Sequence, residues 1–431
     1  MTAGSVLHLV WEFPPVIYGG LARHAEELTR AQHRAGWDVT VVTAAEDVTD
    51  PARRVSIGRR MRRDIQVLRA RRPMPRTPWT DLLGAAGELD DAMAAAARQH
   101  LDDLAGAGRP MPTVVHAHDW IGARAARSVA TRLGVRSVLT VHATEYGRRH
   151  GAIGPEVDGG VPAAVHALER EAVAAADVVI VCSEAMRTEI AVALDADPAR
   201  VRVIPNAVDA EAWRAGPAAV RAARRHWLTQ ESDLLIAAAG RIEWEKGFST
   251  VVRALPDLRR VHPRVRFVLA GRGSYTRTLL DLAAELDVTD LLVTPGWLAR
   301  RDLAALYAAA DVVVVPSRYE PSGLVAREAQ AAGATVVVTR TGGLVEAVQD
   351  ETTGLLMNVG DVHGLRDLIS LLAAHPSRGR RLAQAGAAAV RSVTWADVAA
   401  TTAAVYRPSE TDSGERTLTL PTSAEMVMIA P

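Results

Sequence analysis

Two basic residues in the second half of the chain, Arg241 and Lys246, have a spacing that suits an anion. They follow an apolar run that ends near Gly240 and precede a helix predicted from about Ser249. A helix N-terminus combines free backbone N–H groups with a positive dipole end, so this loop favours a bound anion such as a diphosphate. Two other interpretations explain the cations equally well: they are solvated loop charges, or they pair with the nearby acidic residues 243 and 245.

Two carboxylates, Glu320 and Glu328, lie on either side of a predicted helix start near Val325. If the whole segment were helical, they would be separated by about 12 Å along the axis. Retaining glycosidases hold their carboxyl pair about 5 to 5.5 Å apart, so the spacing argues against a hydrolytic dyad. It suits a ligand with a sugar at each end of a diphosphate. Taken alone, Glu328 is more typical of a surface helix residue.

The first half of the chain carries a glycine pair, Gly19 and Gly20, directly before a helix predicted from Leu21. Glycines at this place let the backbone approach a ligand closely and expose N–H donors to a phosphate. A plain tight turn explains the pair as well, so the signal is weak by itself.

Three histidines, His116, His118 and His142, stand at the ends of two predicted strands. Both strand ends are expected to face the same crevice, because ligands of open parallel sheets bind beyond the carboxyl ends of the strands. A metal site from His116, His118 and Asp119 is conceivable, but alternating residues at a strand end usually pack rather than converge. We therefore predict no metal, and we interpret the acidic triplet at 195–197 as a solvated turn.

The elements that must position these residues alternate between short apolar runs and helical stretches rich in Ala, Leu and Arg. This alternation predicts parallel sheets with right-handed crossovers, an α/β fold. A turn-rich segment at 205–209 separates the two series, and we place the domain boundary there. The predicted strands are residues 6–10, 39–42, 113–115, 138–141, 178–181 and 201–204 in the first series, and 234–238, 266–270, 291–293, 312–315 and 335–338 in the second.

The composition restricts the partners. Among 431 residues, 50 Lys and Arg balance 50 Asp and Glu, so overall charge gives no argument for nucleic-acid binding. The single cysteine, Cys182, excludes an intramolecular disulfide and suits a reducing cytoplasm. The sequence contains no long apolar span, so at most peripheral membrane contact is expected. Residues 53–76 hold ten arginines against one acidic residue and are interpreted as a solvated loop.

Taken together, the motifs resemble family 4 of the retaining glycosyltransferases, most closely its glycogen-synthase-like and α-glucosyltransferase branch. The resemblance covers nearly all of residues 5–407. It implies the GT-B fold, in which two Rossmann-like domains face each other across a deep cleft. The domains would be residues 1–207, completed by a crossover helix at about 395–407, and residues 208–394, followed by a flexible tail at 408–431. The matching motifs are Arg241-x4-Lys246, Glu320-x7-Glu328, Trp11 to Pro15 with Gly19-Gly20, His116 to Trp120, Thr140 to His142, Pro205 to Asp209, and Gly342 to Glu346.

The resemblance also implies a role for each matching residue. Arg241 and Lys246 would hold the donor diphosphate, Glu328 the ribose and Glu320 the transferred hexose. His142 would face the hexose near its 6-hydroxyl. The remaining donor contacts would come from Gly19, Gly20, Trp297, Ser322, Gly323 and Leu324, and the acceptor side from His118, Asp119 and Trp120. Many members have Phe where this chain has Ser322, so the shape of the sugar pocket is not carried over.

The implied activity is metal-independent transfer of a hexose, most simply glucose, from UDP-glucose or ADP-glucose, with retention and without a cofactor. Glu320, His142, Arg241 and Lys246 would be the catalytic residues. An α-glucan, a glycolipid and a small natural product such as an aminocyclitol remain open as acceptors, as does the oligomeric state. Two other hypotheses are a nucleotide-sugar epimerase on the same fold and a catalytically silent sugar-binding scaffold.

Overall fold

The structure is a computed structural model that describes residues 3–45, 59–62, 65–73, 82–228 and 234–407. The strands are β1 (Gly4–Val10), β2 (Trp37–Ala45), β3 (Arg59–Arg62), β4 (Ile65–Pro73), β5 (Val114–His118), β6 (Arg136–Val141), β7 (Val178–Val181), β8 (Val201–Val203), β9 (Leu235–Ala239), β10 (Arg266–Ala270), β11 (Leu292–Gly296), β12 (Val312–Val315), β13 (Val336–Thr339) and β14 (Leu355–Met357). The helices are α1 (Gly20–Arg34), α2 (Leu82–Gly106), α3 (Ala123–Leu133), α4 (Glu145–Arg148), α5 (Val161–Ala175), α6 (Glu184–Ala193), α7 (Pro217–Trp227), α8 (Ser249–Val261), α9 (Thr276–Glu285), α10 (Arg300–Ala309), α11 (Leu324–Ala331), α12 (Leu344–Ala347), α13 (Val362–Ala374), α14 (Pro376–Val390) and α15 (Trp395–Tyr406).

These elements form two compact domains. The N-terminal domain contains the described residues up to Asn206 together with α15, and the C-terminal domain contains Ala207–Thr394. The chain therefore passes from one domain to the other inside the turn-rich segment at 205–209. The tail at 408–431 lies outside the described residues.

The N-terminal domain is built on a sheet with the strand order β3-β4-β2-β1-β5-β6-β7-β8. Its strand pairs are parallel except for β3 and β4, which are antiparallel. Strand β5 continues through His118, three residues beyond the predicted end at 115. The prediction was wrong because the two histidines of this strand look polar in sequence, whereas both side chains are fully buried.

The interpretation of residues 53–76 as a solvated loop was also wrong for their described part. Strand β4 pairs with β2, and its Ile65 and Val67 side chains are buried. Arg69 is buried as well, and its guanidinium donates a hydrogen bond to the Pro14 carbonyl at 2.7 Å. The arginines of this segment hide its strand pattern, because a long aliphatic stem can pack inside while the charged head reaches a carbonyl.

The C-terminal domain is built on an all-parallel sheet with the order β11-β10-β9-β12-β13-β14. Strands β9 and β12 are neighbours, so the loops that leave their carboxyl ends emerge side by side. All four valines of β12 are buried, as expected for a strand covered on both faces. The prediction of an α/β fold with two parallel sheets is thus confirmed.

Helix α15 occupies Trp395–Tyr406, where the resemblance implied a crossover helix at about 395–407. It packs in the N-terminal domain, where the Tyr406 hydroxyl accepts a hydrogen bond from Gln32 of α1 at 2.8 Å. Across the described ranges, none of the helices combines the length and the apolar composition needed to cross a membrane.

Candidate functional site

An ion pair joins the loops that follow β9 and β12. Lys246 ends a short 3-10 turn after β9, and Glu320 lies in the loop between β12 and α11. The Lys246 Nζ atom is 2.9 Å from Glu320 Oε2, and the side chains are only 18% and 8% exposed. A charge-assisted hydrogen bond of this length in a largely desolvated place is strong. Lys246 is therefore not a solvated loop charge.

Close backbone contacts hold these two loops together. Gly247 has a left-handed φ of 65°, and a Cβ atom there would lie 2.0 Å from the Pro316 carbonyl oxygen. The Arg318 N–H donates to the Glu245 carbonyl at 2.8 Å. Only glycine combines this conformation with this approach, so Gly247 fixes Lys246 against the β12 loop.

A third loop, which follows β13, supports Glu320 from its backbone. The Gly343 N–H donates to the Glu320 carbonyl at 2.8 Å. Gly342 has φ 48°, and a Cβ atom at this position would lie 2.2 Å from the same carbonyl oxygen. The glycine pair at 342 and 343 thus sets the position of Glu320.

Arg241 lies in the same β9 loop and is more exposed. Its guanidinium pairs with Glu245 at 3.2 Å, and 42% of its side chain is accessible. Glu243 instead accepts from the Ser274 N–H at 3.0 Å. The alternative of local pairing is therefore observed for Arg241, but not for Lys246. An exposed pair of this kind contributes about 0.2 to 1 kcal/mol, so an incoming anion can displace it at little cost.

Glu328 lies on α11 and is buried, with 7% exposure, which excludes the surface-residue interpretation. Helix α11 begins at Leu324 after Gly323, whose φ is 68°. The segment from Glu320 to Glu328 is thus a loop followed by a helix, and the spacing for a continuous helix does not apply. The first N–H groups of α11 have no partner within the helix, which leaves them available to a ligand. Ser322 in this loop is half-buried.

Trp297 follows β11 and is 48% exposed. The strand extends to Gly296, so residues 294–296, predicted to follow the strand, lie within it. Gly271 at the end of β10 donates its N–H to the Gly296 carbonyl at 2.8 Å. Trp297 therefore stands at the carboxyl edge of the same sheet as the ion pair, and it is exposed enough to contact a ligand.

In the N-terminal domain, a buried carboxylate organises the glycine pair. Glu12 accepts hydrogen bonds from the N–H groups of Tyr18 at 2.5 Å, Gly19 at 3.2 Å and Ala22 at 3.2 Å. Its side chain is 2% exposed. The Glu12 carboxylate thus lies at the start of α1 and already accepts a hydrogen bond from the Gly19 N–H. Gly20 is exposed. This role of Glu12 was not predicted from the sequence, although a carboxylate after a strand and before a helix start is the available signal.

His142 directly follows β6 and is half-buried. Its backbone N–H donates to Asp119 Oδ1 at 2.7 Å. Asp119 is buried, and desolvation raises its pKa to about 6 against the opposing effect of Arg148. His118 is fully buried, with its Nδ1 atom 3.1 Å from His142 Nε2. His118 therefore lies behind His142, and Trp120 beside this segment is half-buried.

Five histidine rings cluster in this domain, and burial keeps them neutral. Desolvation lowers the pKa of His8 to about 4 and the pKa values of His24 and His142 to about 3. Desolvation also holds the pKa values of His116 and His118 well below their usual range. The cluster therefore offers uncharged hydrogen-bonding groups at neutral pH.

Two triplets within this cluster have nitrogen atoms close enough for a metal ion, namely His8 with His116 and His118, and His24 with His118 and His142. Asp119 belongs to neither triplet, because its carboxylate turns to the backbone of His142. The fold therefore does not bring His116, His118 and Asp119 together as metal ligands, the combination considered from the sequence.

Two family models match the chain and together cover most of it. The model described as "Glycosyl transferases group 1" matches residues 220–389, and the model described as "Glycosyltransferase Family 4" matches residues 18–212. With two parallel-sheet domains, these matches define a glycosyltransferase of the GT-B class. The chain belongs to the family 4 glycosyltransferases.

Among its relatives, the glycogen synthase of Mycobacterium tuberculosis is 37% identical over 95% of this chain and 96% of its own length. The D-inositol 3-phosphate glycosyltransferase of Xylanimonas cellulosilytica is 33% identical over 90% of this chain and 91% of its own. The solved sucrose-phosphate synthase of Thermosynechococcus elongatus superposes with a TM-score of 0.78 at 24% identity, covering 93% of this chain and 98% of that one. The structural likeness shows a shared fold, and the sequence matches show homology to glycogen synthase.

The buried histidines predict a pH dependence of stability. In the unfolded chain His24 takes up a proton near pH 6.5, but in the folded protein only near pH 3. Its stabilising contribution is therefore complete above pH 6.5 and is lost as the pH falls through this window. In His24→Gln, the free energy of unfolding should fall less steeply than in wild type between pH 6 and 4.5, by about 1.4 kcal/mol per pH unit.

Chemical denaturation at several pH values measures this slope. His226→Gln is the matched control, because His226 is exposed, and it should keep the wild-type slope. The opposing contribution of Asp119 is common to all three proteins and cancels in the comparison. An unchanged slope in His24→Gln would contradict the neutral state of the cluster.

The backbone support of Glu320 gives a second prediction. Gly342→Ala places a methyl group against the Glu320 carbonyl, so it should lower transferase activity at least about tenfold as well as stability. Gly333→Ala is the control, since Gly333 also has a positive φ, 85°, but open space around it. This control should lose stability alone, as measured by denaturation and by initial rates. Equal activity in the two variants would show that Gly342 does not position Glu320.

Proposed function

We propose that this enzyme is a retaining, metal-independent hexosyltransferase that moves glucose from UDP-glucose or ADP-glucose to an acceptor hydroxyl. The main support for this proposal is the ion pair of Lys246 with Glu320 at the carboxyl edge of the C-terminal sheet. It brings a cation for the diphosphate and a carboxylate for the sugar to one point. The homology to glycogen synthase supports the choice of glucose.

Lys246 and Arg241 would stabilise the leaving nucleoside diphosphate. Departure of this group builds negative charge on the β-phosphate, and fixed donors in a water-poor site can contribute roughly 3 to 4 kcal/mol per contact. Lys246 is held in place by Glu320, whereas Arg241 can leave its exposed pair with Glu245. The two cations would take the role that a divalent metal has in other transferases.

Glu320 would position the hexose rather than attack it. A carboxylate oxygen that accepts a hydrogen bond from Lys246 is a weaker nucleophile. The acceptor hydroxyl would attack from the side of the leaving group, and the departing phosphate oxygen would take its proton, so the configuration is retained. The N–H groups of Ser322, Gly323 and Leu324 would complete the sugar site, with the buried Glu328 on the ribose and the exposed Trp297 on the base.

The N-terminal domain would supply contacts to the hexose and the acceptor. His142 is neutral and half-buried, which suits a hydrogen bond with the 6-hydroxyl of the hexose. Gly19 and Gly20 would approach the phosphates, and Asp119 and Trp120 would line the acceptor side with His118 behind them. The single, buried Cys182 supports a cytoplasmic location.

An α-glucan is the acceptor we favour. The relative that makes glycogen has the higher identity and coverage of the two curated relatives compared above. A phosphorylated cyclitol is the next candidate acceptor, because the second relative is a D-inositol 3-phosphate glycosyltransferase.

Removal of either partner of the ion pair should slow turnover. Lys246→Ala and Glu320→Ala should each lower kcat at least about tenfold, since each removes more than roughly 1.4 kcal/mol of transition-state binding. Arg277→Ala is the control, because it removes an exposed ion pair with Asp281 in the same domain. Initial rates with UDP-glucose and glycogen measure the effect, and wild-type rates in the two site variants would refute these roles.

A thermal-shift panel of UDP-glucose, ADP-glucose and GDP-mannose tests the donor. A donor at 100 times its Kd should stabilise the protein by about 2.7 kcal/mol, and Lys246→Ala should lose this shift. No shift with any donor would favour the silent scaffold. Conversion of the donor sugar without an acceptor would instead identify an epimerase.

A further inference from the structure

A row of hydrogen bonds runs through the N-terminal domain from α1 to His142. Gln32 Oε1 lies 2.8 Å from His8 Nε2. His8 Nδ1 lies 3.1 Å from His118 Nε2, and His118 Nδ1 lies 3.1 Å from His142 Nε2. His8, His118 and Gln32 are fully buried, so the row is closed to solvent along most of its length. The row links the end of β6 to a helix residue more than 100 positions earlier in the chain.

Proton counting makes the ring tautomers interdependent. A neutral imidazole carries one N–H and one bare nitrogen, and each hydrogen bond contains one proton. His8 and His118 use both nitrogens within the row. If one ring donates through Nε2, its Nδ1 is bare and must accept from the next ring. All three rings are therefore of the same tautomer, and the group at the buried end selects which one.

At the buried end, Gln32 is oriented by the last helix. Its Nε2 amide donates to the Tyr406 hydroxyl at 2.8 Å, which turns Oε1 toward His8 as an acceptor. The Tyr406 hydroxyl lies 2.7 Å from His116 Nδ1 and donates a hydrogen bond to that nitrogen. His116 Nε2 in turn lies 2.7 Å from Thr140 Oγ1. The donors and acceptors are consistent along both branches.

We infer that Gln32 and Tyr406, acting through His8 and His118, hold His142 as the Nε2–H tautomer with a bare Nδ1. The four are positioning residues, and none of them touches substrate. A bare Nδ1 can only accept, so it recognises a hydroxyl group that donates a hydrogen bond. Resting on the proposed function, this favours a donor sugar whose C6 substituent can donate a hydrogen bond over one whose C6 substituent can only accept.

Helix α15 thus contributes to substrate selection through Tyr406. Tyr406 ends α15, and its hydroxyl accepts the hydrogen bond that the Gln32 Nε2 amide donates. Without this hydroxyl, the amide can turn over, and all the bonds of the row reverse together. His142 would then carry its proton on Nδ1 and donate instead.

Nitrogen-15 NMR of histidine-labelled full-length protein tests the tautomer directly. Long-range proton–nitrogen correlations separate protonated from bare ring nitrogens, and the His142 signals are assigned by their loss in His142→Gln. We expect a bare Nδ1 at His142 in wild type and a mixture of tautomers in Tyr406→Phe. A protonated Nδ1 in wild type would overturn the inference, whether or not the protein transfers glucose.

A comparison of kcat/KM for two donor sugars separates this positioning role from a purely structural one, because a structural role would leave the ratio of the two values unchanged. The ratio of kcat/KM for UDP-glucose to that for UDP-6-deoxy-6-fluoroglucose, whose fluorine cannot donate a hydrogen bond, should fall about tenfold in Tyr406→Phe and in Gln32→Met, the effect of one neutral hydrogen bond. Gln32→Glu, which can only accept from His8, should keep the wild-type ratio. Equal losses on both donors in all variants would assign these residues to packing and overturn the inference.

Discussion

The C-terminal site depends on one interaction, the largely buried ion pair of Lys246 and Glu320. Each residue leaves the carboxyl end of a different strand, and the strands are neighbours, so the sheet brings opposite charges together. Glycines at 247 and 342 let the backbone approach closely enough to keep the pair in place. Removing one partner would leave the other charge desolvated and uncompensated, which typically costs about 3 to 5 kcal/mol. The ion pair therefore both holds the two loops together and fixes the two charged groups of the site.

The histidine cluster of the N-terminal domain differs from this ion pair, because its side chains are uncharged. Burial keeps the five rings of its histidine cluster neutral, and the carboxylate of Glu12 accepts hydrogen bonds from backbone N–H groups at the start of α1. The C-terminal site thus contains a paired cation and carboxylate, whereas the histidine cluster of the N-terminal domain contains uncharged hydrogen-bond donors and acceptors.

Local patterns allowed the sequence to predict the parallel sheets and the strand-end positions of Lys246 and Glu320, whereas helix α15 was implied only by the resemblance to the family. Apolar runs and strand ends are properties of a few consecutive residues. Contacts of long range were missed for a physical reason. The bond between His8 and His118 joins residues 110 positions apart, and it exists only because β1 and β5 pair in a particular register. Buried histidines and arginines also look like surface residues until the sheet is assembled.

A double-mutant cycle on Lys246 and Glu320 tests the central claim most directly. The measured quantity is kcat/KM for the donor in wild type, Lys246→Met, Glu320→Gln and the double variant. If the two side chains act as one unit, the double variant should be hardly worse than the worse single variant, with a coupling energy of about 1 kcal/mol or more. Effects that add within about 0.5 kcal/mol would show independent side chains and contradict the account.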